Sequence, residues 1–209
     1  MSISKILNAE QTYTFSSYYE MPYELEDILA EFGYRLERSQ VDLAQFQGLL
    51  PGCDRLAQQL RQRLNYVSLS SEAARRETFI APIVMDAAEI SLAQVRIEYP
   101  LTVSNWLRGT LDYYVFQGQQ LLVIEAKQAD LVKGFKQLAV ELIALDQAEK
   151  TEQPLILGAV TTGEVWMFGL LHRRDRLIVQ NTKLYLVPDE LETLMRILVQ
   201  ALRTGQVSD

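Results

Sequence analysis

Apolar residues recur at helical spacing through the first third of the chain, and beyond it helical and strand-like runs take turns. After Pro22, the positions Leu25, Ile28, Leu29 and Phe32 share one helical face with acidic residues between them, which predicts a helix over 23–32 stopped by Gly33. Pro51 and Gly52 precede another such run, Leu56, Leu60 and Leu64, in a helix starting near Asp54. Residues 1–67 therefore read as a mainly helical N-terminal extension. Within it Tyr13, Phe15, Tyr18, Tyr19 and Tyr23 read as packing rather than as a platform for stacked bases. From Ser70 onward, Phe79, Ile80, Ile83 and Val84 form the apolar side of a helix over 72–85, with Pro82 tightening or kinking its end. Strand-like runs follow at 95–103, 110–116 and 121–127. Leu131, Phe135, Leu138, Leu142 and Leu145 then mark one face of a long helix. A short apolar strand at 154–160, a turn at Thr161, Thr162 and Gly163, strands at 165–170 and 177–187, and a closing helix carrying Leu191, Leu194, Ile197, Leu198 and Leu202 complete the order. Helix, three strands, helix, strands, helix describes an α/β sandwich around a mixed sheet, a domain over 68–209.

Composition narrows the function without naming it. With 48% hydrophobic and 22% charged residues the chain is of globular type, and no apolar stretch approaches the roughly 20 residues that a membrane-spanning helix requires. The first residues lack a basic flank followed by an apolar run, so no secretory signal is expected and the cytoplasm is the expected location. The single cysteine, Cys53, excludes an internal disulfide and a cysteine cluster for zinc, and reads as a small core residue. A net charge of −7 argues against a protein that coats nucleic acid, because such binding draws on phosphate neutralisation. The acids gather, however, at Glu20, Glu24, Glu26, Asp27 and Glu31 and at Asp189, Glu190 and Glu192, away in sequence from the constellation described next.

The runs 110–116 and 121–127 are close enough to form an antiparallel hairpin around a two-residue turn, Gly118-Gln119. If Gln117 pairs with Gln120, the register sets Asp112 opposite Glu125, and side-chain alternation puts Glu125 and Lys127 on one face. Directly opposed carboxylates repel unless something neutralises them. A divalent cation does so: hard oxygen ligands suit magnesium or manganese, and magnesium takes one or two carboxylates with water and substrate phosphate oxygens. Such an ion acidifies a bound water and stabilises charge on a phosphate, while Lys127 is positioned to act on the nucleophile. The plainer alternative is a salt bridge among sheet-edge charges. Against it, residues 121–126 are apolar on both faces apart from Glu125, as in a buried central strand.

Gly109-Thr110-Leu111-Asp112 followed by Glu125-Ala126-Lys127 resembles the PD-(D/E)xK nuclease superfamily, the restriction-endonuclease-like fold. The segment from Ser71-Glu72 through Arg75-Arg76 to Ile80-Ala81-Pro82 is similar to the start of the nuclease domain in type I restriction enzyme motor subunits, where a glutamate on the first core helix precedes an arginine and an apolar-x-proline step. Gly158 to Gly163 with Trp166 resembles the strand and turn beyond the site in the same group. The resemblance covers roughly 70–170. It implies that Asp112 and Glu125 are metal ligands, Lys127 the catalytic lysine and Glu72 an accessory acid, with Mg (or Mn) as cofactor and DNA as substrate. Leu111 stands where the signature has proline, a position that varies in the superfamily.

Two of these residues have simple structural readings as well. Glu72 lies in the first turn of a helix capped by Ser70 or Ser71, where an acid favours the helix dipole. Gln137 takes the place of a glutamine that some nucleases of this group use; with Lys133 and Glu141 it also fits a solvated ladder along one helix face. Lys133, Lys136, Arg75 and Arg76 are candidates for phosphate contacts or ordinary surface charges. His172, beside Arg173 and Arg174, is assigned no catalytic role. The sequence thus supports a metal-dependent nuclease acting on DNA. The rival is a non-catalytic nuclease-fold accessory module that binds a partner protein, and a homo-oligomer packed through the N-terminal extension is a third reading.

Overall fold

The computed structural model describes residues 6–118, 120–127, 130–148 and 153–204. Near the N-terminus, α1 (Phe15–Glu20) begins at a reciprocal cap between Thr14 and Ser17 and buries Phe15 and Tyr18. The next helix, α2 (Leu25–Glu31), buries Leu25, Ile28 and Leu29, and Gly33 ends it as expected, with a φ of +76° that a glycine adopts without steric cost. A strand not anticipated from the sequence follows, β1 (Arg35–Ser39). Gly52 then leads into α3 (Cys53–Arg63), which buries Cys53, Leu56 and Leu60. Leu64, expected on that apolar face, lies past the helix and is exposed.

The helix expected over 72–85 is longer and not uniform. It comprises α4 (Glu72–Arg75), a π turn (Arg76–Ile80) and α5 (Ala81–Ser91). Pro82 therefore stands inside it rather than at its end. Proline has no N–H to give to the carbonyl one turn back, and the Thr78 oxygen accepts from Arg63 Nη1 at 2.8 Å. The remaining order follows the expected one: β2 (Gln94–Thr102), β3 (Arg108–Gln117), β4 (Gln120–Ala126), α6 (Leu131–Ala148), β5 (Leu155–Thr161), β6 (Val165–His172), β7 (Leu177–Leu186) and α7 (Leu191–Thr204).

All seven strands form one mixed sheet in the order β1-β7-β6-β5-β4-β3-β2. The β1–β7 and β4–β5 neighbours are parallel and the others antiparallel. One face carries α3, α5 and α7 over a core that includes Ile83, Ile124, Trp166 and Leu198. The other carries α1, α2 and α6 over Phe15, Val123, Leu138 and Val160. Phe135, Leu138, Leu142 and Leu145 are fully buried, and Leu131 packs at the margin. Glycines let α6 lie close: a Cβ at Gly158 would come within 2.8 Å of Leu138, and one at Gly169 within 2.9 Å of Phe135. The expected division near residue 67 does not separate two cores, because β1 pairs with β7 and Phe15 and Tyr18 share a core with α6. Among the described residues, no helix is long and apolar enough to cross a membrane.

Candidate active site

The β3–β4 hairpin has the expected register, with Gln117 paired to Gln120 and Tyr113 to Ile124. Gly118 has a φ of +58°, and Gln119, the second residue of the expected turn, lies outside the described residues. The ladder stops one pair before Asp112 and Glu125 would meet. There the strands part, and the Asp112 side chain takes over from the backbone: its Oδ2 accepts the Ala126 N–H at 2.8 Å. The Lys127 N–H donates to the Thr161 carbonyl at 2.8 Å, which ties the end of β4 to β5. The open end of the hairpin thus holds Asp112, Glu125 and Lys127 on adjacent, anchored backbone.

Glu125 sits on the central strand β4, on the α6 side with Val123, and is 1% exposed. Lys127 Nζ lies 2.5 Å from its Oε1, and Gln137 Nε2 donates to the same oxygen at 2.6 Å. That amide also reaches Glu141 Oε1 at 2.9 Å. Gln137 and Glu141 are both buried, which corrects the reading of them as a solvated ladder: the face of α6 that carries them is turned to the sheet. Lys133, expected in that ladder, instead lies with its Nζ 5.6 Å from the centre of the Tyr19 ring, and Lys127 Nζ lies 5.2 Å from the same ring. Gly134 permits this approach of α6 to the site, since a Cβ there would meet Lys127 Cγ at 2.9 Å and Val160 Cγ2 at 2.7 Å.

Burial first and the charge of Asp112 second push the Glu125 carboxyl up to about 8, against the pull of Lys127. Burial and the neighbouring Glu125 raise Glu141 well above the usual carboxylate range. The contact with Lys127 has ion-pair geometry, which a neutral Glu125 would not need. Glu141, which has no ion-pair partner among the described residues, is the natural holder of the proton and Glu125 the anion of the pair. Burial lowers the pKa of Lys127, but the charge and hydrogen bond of Glu125, with Asp112 and Glu141 behind, outweigh it and raise it. Lys127 is a cation at neutral pH, suited to hold a nucleophile or an anion rather than to accept a proton.

Three acids are thus near one another, and Glu125 Oε2 and Glu141 Oε2 are buried without a hydrogen bond. An oxygen-only donor set with excess negative charge fits a hard divalent cation. Among the described residues no three His, Cys, Asp or Glu side chains are arranged as a metal-ligand group. An ion here would rest on Asp112 and Glu125, the one-or-two-carboxylate mode that magnesium adopts with water and phosphate.

Glu72 is half-buried in the first turn of α4, where Ser71 Oγ caps the helix by accepting the Ala74 N–H at 3.1 Å. No hydrogen bond or ion pair among the described residues joins Glu72 to the cluster; the residue of this helix that reaches it is Arg76, 3.9 Å from Asp112 Oδ1. Arg75 is engaged elsewhere, with Nη1 on the Thr162 carbonyl at 3.0 Å and on Glu164 at 2.9 Å. Lys136 donates to the carbonyls of Met21 and Tyr23 at 3.2 and 2.6 Å, which holds the chain leaving α1. His172 closes β6 away from the cluster, paired with Leu155 and Leu177. Sequence reasoning missed Arg76 as a partner of Asp112, although the π turn that aims it carries no simple signature. It also missed the burial of Glu141, for which the flanking Leu138-Ala139-Val140 and Leu142-Ile143-Ala144-Leu145 were the available signal. No protein-family model matches the chain, and neither a curated protein nor a solved structure does.

Proposed function

We propose that the protein is a metal-dependent nuclease of the restriction-endonuclease-like fold that hydrolyses DNA phosphodiester bonds, with Asp112 and Glu125 holding Mg (or Mn) and Lys127 assisting the nucleophile. The observation that carries this reading is the buried Glu125 on a central strand, bridged by Lys127 and Gln137 and facing the open end of a hairpin where Asp112 waits. Burying an acid in this way is costly, and a fold that keeps it there needs a compensating partner. The bound ion supplies charge neutralisation at the phosphate and an acidified water. Lys127 orients that water or the attacked phosphate as a fixed cation, and Gln137 holds Glu125 in a single rotamer. Glu72 stays a candidate accessory acid on the helix that borders the site.

The accessory-module reading is favoured by a different observation: the oxygens proposed as ligands are already engaged, Asp112 Oδ2 by the Ala126 N–H and Glu125 Oε1 by Lys127 and Gln137. Metal titration separates the two. Under the nuclease reading, magnesium binds the folded state and raises the melting temperature by mass action, on the order of 2.7 kcal/mol at a hundredfold excess over Kd. Glu125→Gln removes most of that gain. Identical responses of the two proteins to titrated magnesium rule out the paired-carboxylate site.

A further inference from the structure

Irregularities of three separate backbone segments meet at one side chain. The π turn begins at Arg76. Glu98, in the middle of β2, has a φ of +51°, a conformation that a non-glycine residue rarely holds in a strand. Glu98 and Asp112 occupy facing positions on β2 and β3, yet the ladder skips them, pairing Ile97 with Tyr113 and Tyr99 with Leu111 on either side. Pairing on the other flank of β3 ends at Tyr113 as well. Between these departures lies the Arg76 guanidinium, 3.3 Å from Glu98 Oε1, 3.9 Å from Asp112 Oδ1 and 5.6 Å above the centre of the Tyr113 ring. Local departures of this kind gather where a fold aims a functional group.

The contacts of Arg76 are loose for so enclosed a cation. Its side chain is 18% exposed, while carboxylate contacts of a well-seated guanidinium run about 2.7–2.9 Å and a separation of 3.9 Å is no hydrogen bond. Arg196 illustrates the seated case, with Nε and Nη2 on Glu192 at 3.1 and 2.8 Å and Nη1 on the carbonyls of Phe46 and Gly48. Arg76 has given up most of its water, yet it keeps only a long hydrogen bond to Glu98 Oε1 at 3.3 Å and an interaction with the Tyr113 side chain, with Asp112 beyond hydrogen-bond reach. One of those acids, Glu98, is 65% exposed at its side chain and free to swing away.

We infer that Arg76 binds a phosphate of the nucleic-acid backbone beside Asp112, and that Glu98 is the displaceable anion that occupies the guanidinium between substrates. The planar fork of arginine matches the two non-bridging oxygens of a phosphodiester, and its charge offsets the repulsion between that phosphate and Asp112. No bond is made or broken in this exchange: one oxyanion replaces another. This inference rests on the nuclease reading, since it takes the substrate to be a phosphodiester.

The test is binding of a labelled short DNA duplex, followed by fluorescence anisotropy in calcium, which takes oxygen ligands as magnesium does. Cleavage in magnesium is scored in parallel. Arg76→Ala is expected to weaken binding about tenfold and to reduce the slope of log affinity against log salt by about 0.9, the share of one phosphate contact. Glu98→Gln is expected to tighten binding several-fold, more than Asp189→Asn, which removes the same charge from an exposed turn before α7. With Ala at position 76, Glu98→Gln should have no effect of its own. A structural ion pair would not yield tighter binding on losing Glu98, and this arm holds even if Arg76→Ala folds poorly. If the wild type binds and cleaves while Arg76 and Glu98 variants match it, the inference is overturned and the nuclease reading stands. If the wild type neither binds nor cleaves single-stranded, duplex or branched DNA, the nuclease reading falls and takes the inference with it.

Discussion

Among the described residues Glu125 and Glu141 are the buried acids, and their two carboxyl groups share one amide and one lysine. The folded pair holds a proton that the unfolded chain gives up near pH 4.5, because burial raises both carboxyls, Glu125 to about 8 and Glu141 well above the usual carboxylate range. Folded protein therefore binds more protons than unfolded protein across this window, so stability falls as pH rises. The contribution is complete below the lower value and lost as pH climbs through the upper one. In chelator, urea unfolding at about pH 8.5 should report a stability lower than at about pH 5.5 by roughly 3–4 kcal/mol at most. Glu141→Gln keeps the acceptor for Gln137 and cannot ionise, so it should flatten most of this slope; an unchanged slope would mean that the proton resides elsewhere. Lys127 titrates above its usual range and stays charged throughout this window.

At the scale of elements, α6 reaches the site only because position 134 has no side chain. Replacing Gly134 by alanine gains roughly 1 kcal/mol of helix propensity but forces a methyl group to within 3 Å of Val160 and Lys127, and overpacking of this kind costs about 1–3 kcal/mol. Val160 is buried on β5 and cannot retreat, so the steric loss should win. Gly134→Ala is expected to lower the denaturant midpoint and to weaken magnesium binding, and a rise in both would show that the helix has room to move. The elements on either side were readable from the sequence because their apolar spacing is unambiguous: α6 and α7 by their stripes, β3 and β4 by their strand-like runs on either side of the hairpin turn, Gly33 by its stop. Leu36 alone is apolar within β1, so a short edge strand set by its pairing with β7 left no pattern to read. The π turn likewise left no pattern to read: Pro82 signals a departure from regular helix, but not where it falls, and the Arg63 contact to the Thr78 carbonyl joins residues from separate helices. Within the site, spacing was enough to bring Asp112, Glu125 and Lys127 together. It did not show that Gln137 and Glu141 face inward, because a polar residue on a helix is buried only by what packs over it.

For the whole molecule the open question is how a chain of net charge −7 would meet a polyanion. Among the described residues, the cations at the site are Arg76 and Lys127, at Asp112 and Glu125, with Lys133 over Tyr19. Affinity for DNA should accordingly be modest, and it should fall steeply as salt is raised from about 50 to 200 mM. An affinity insensitive to salt would show that contacts to phosphates do not carry the binding. The central claim, that Asp112, Glu125 and Lys127 form a metal-dependent hydrolytic site, is tested most directly by scoring cleavage of single-stranded, duplex and branched DNA in magnesium and in chelator. The account predicts cleavage by the wild type in magnesium alone, no cleavage by Lys127→Ala with metal binding largely kept, and loss of both in Asp112→Asn. Cleavage that survives both substitutions would contradict it.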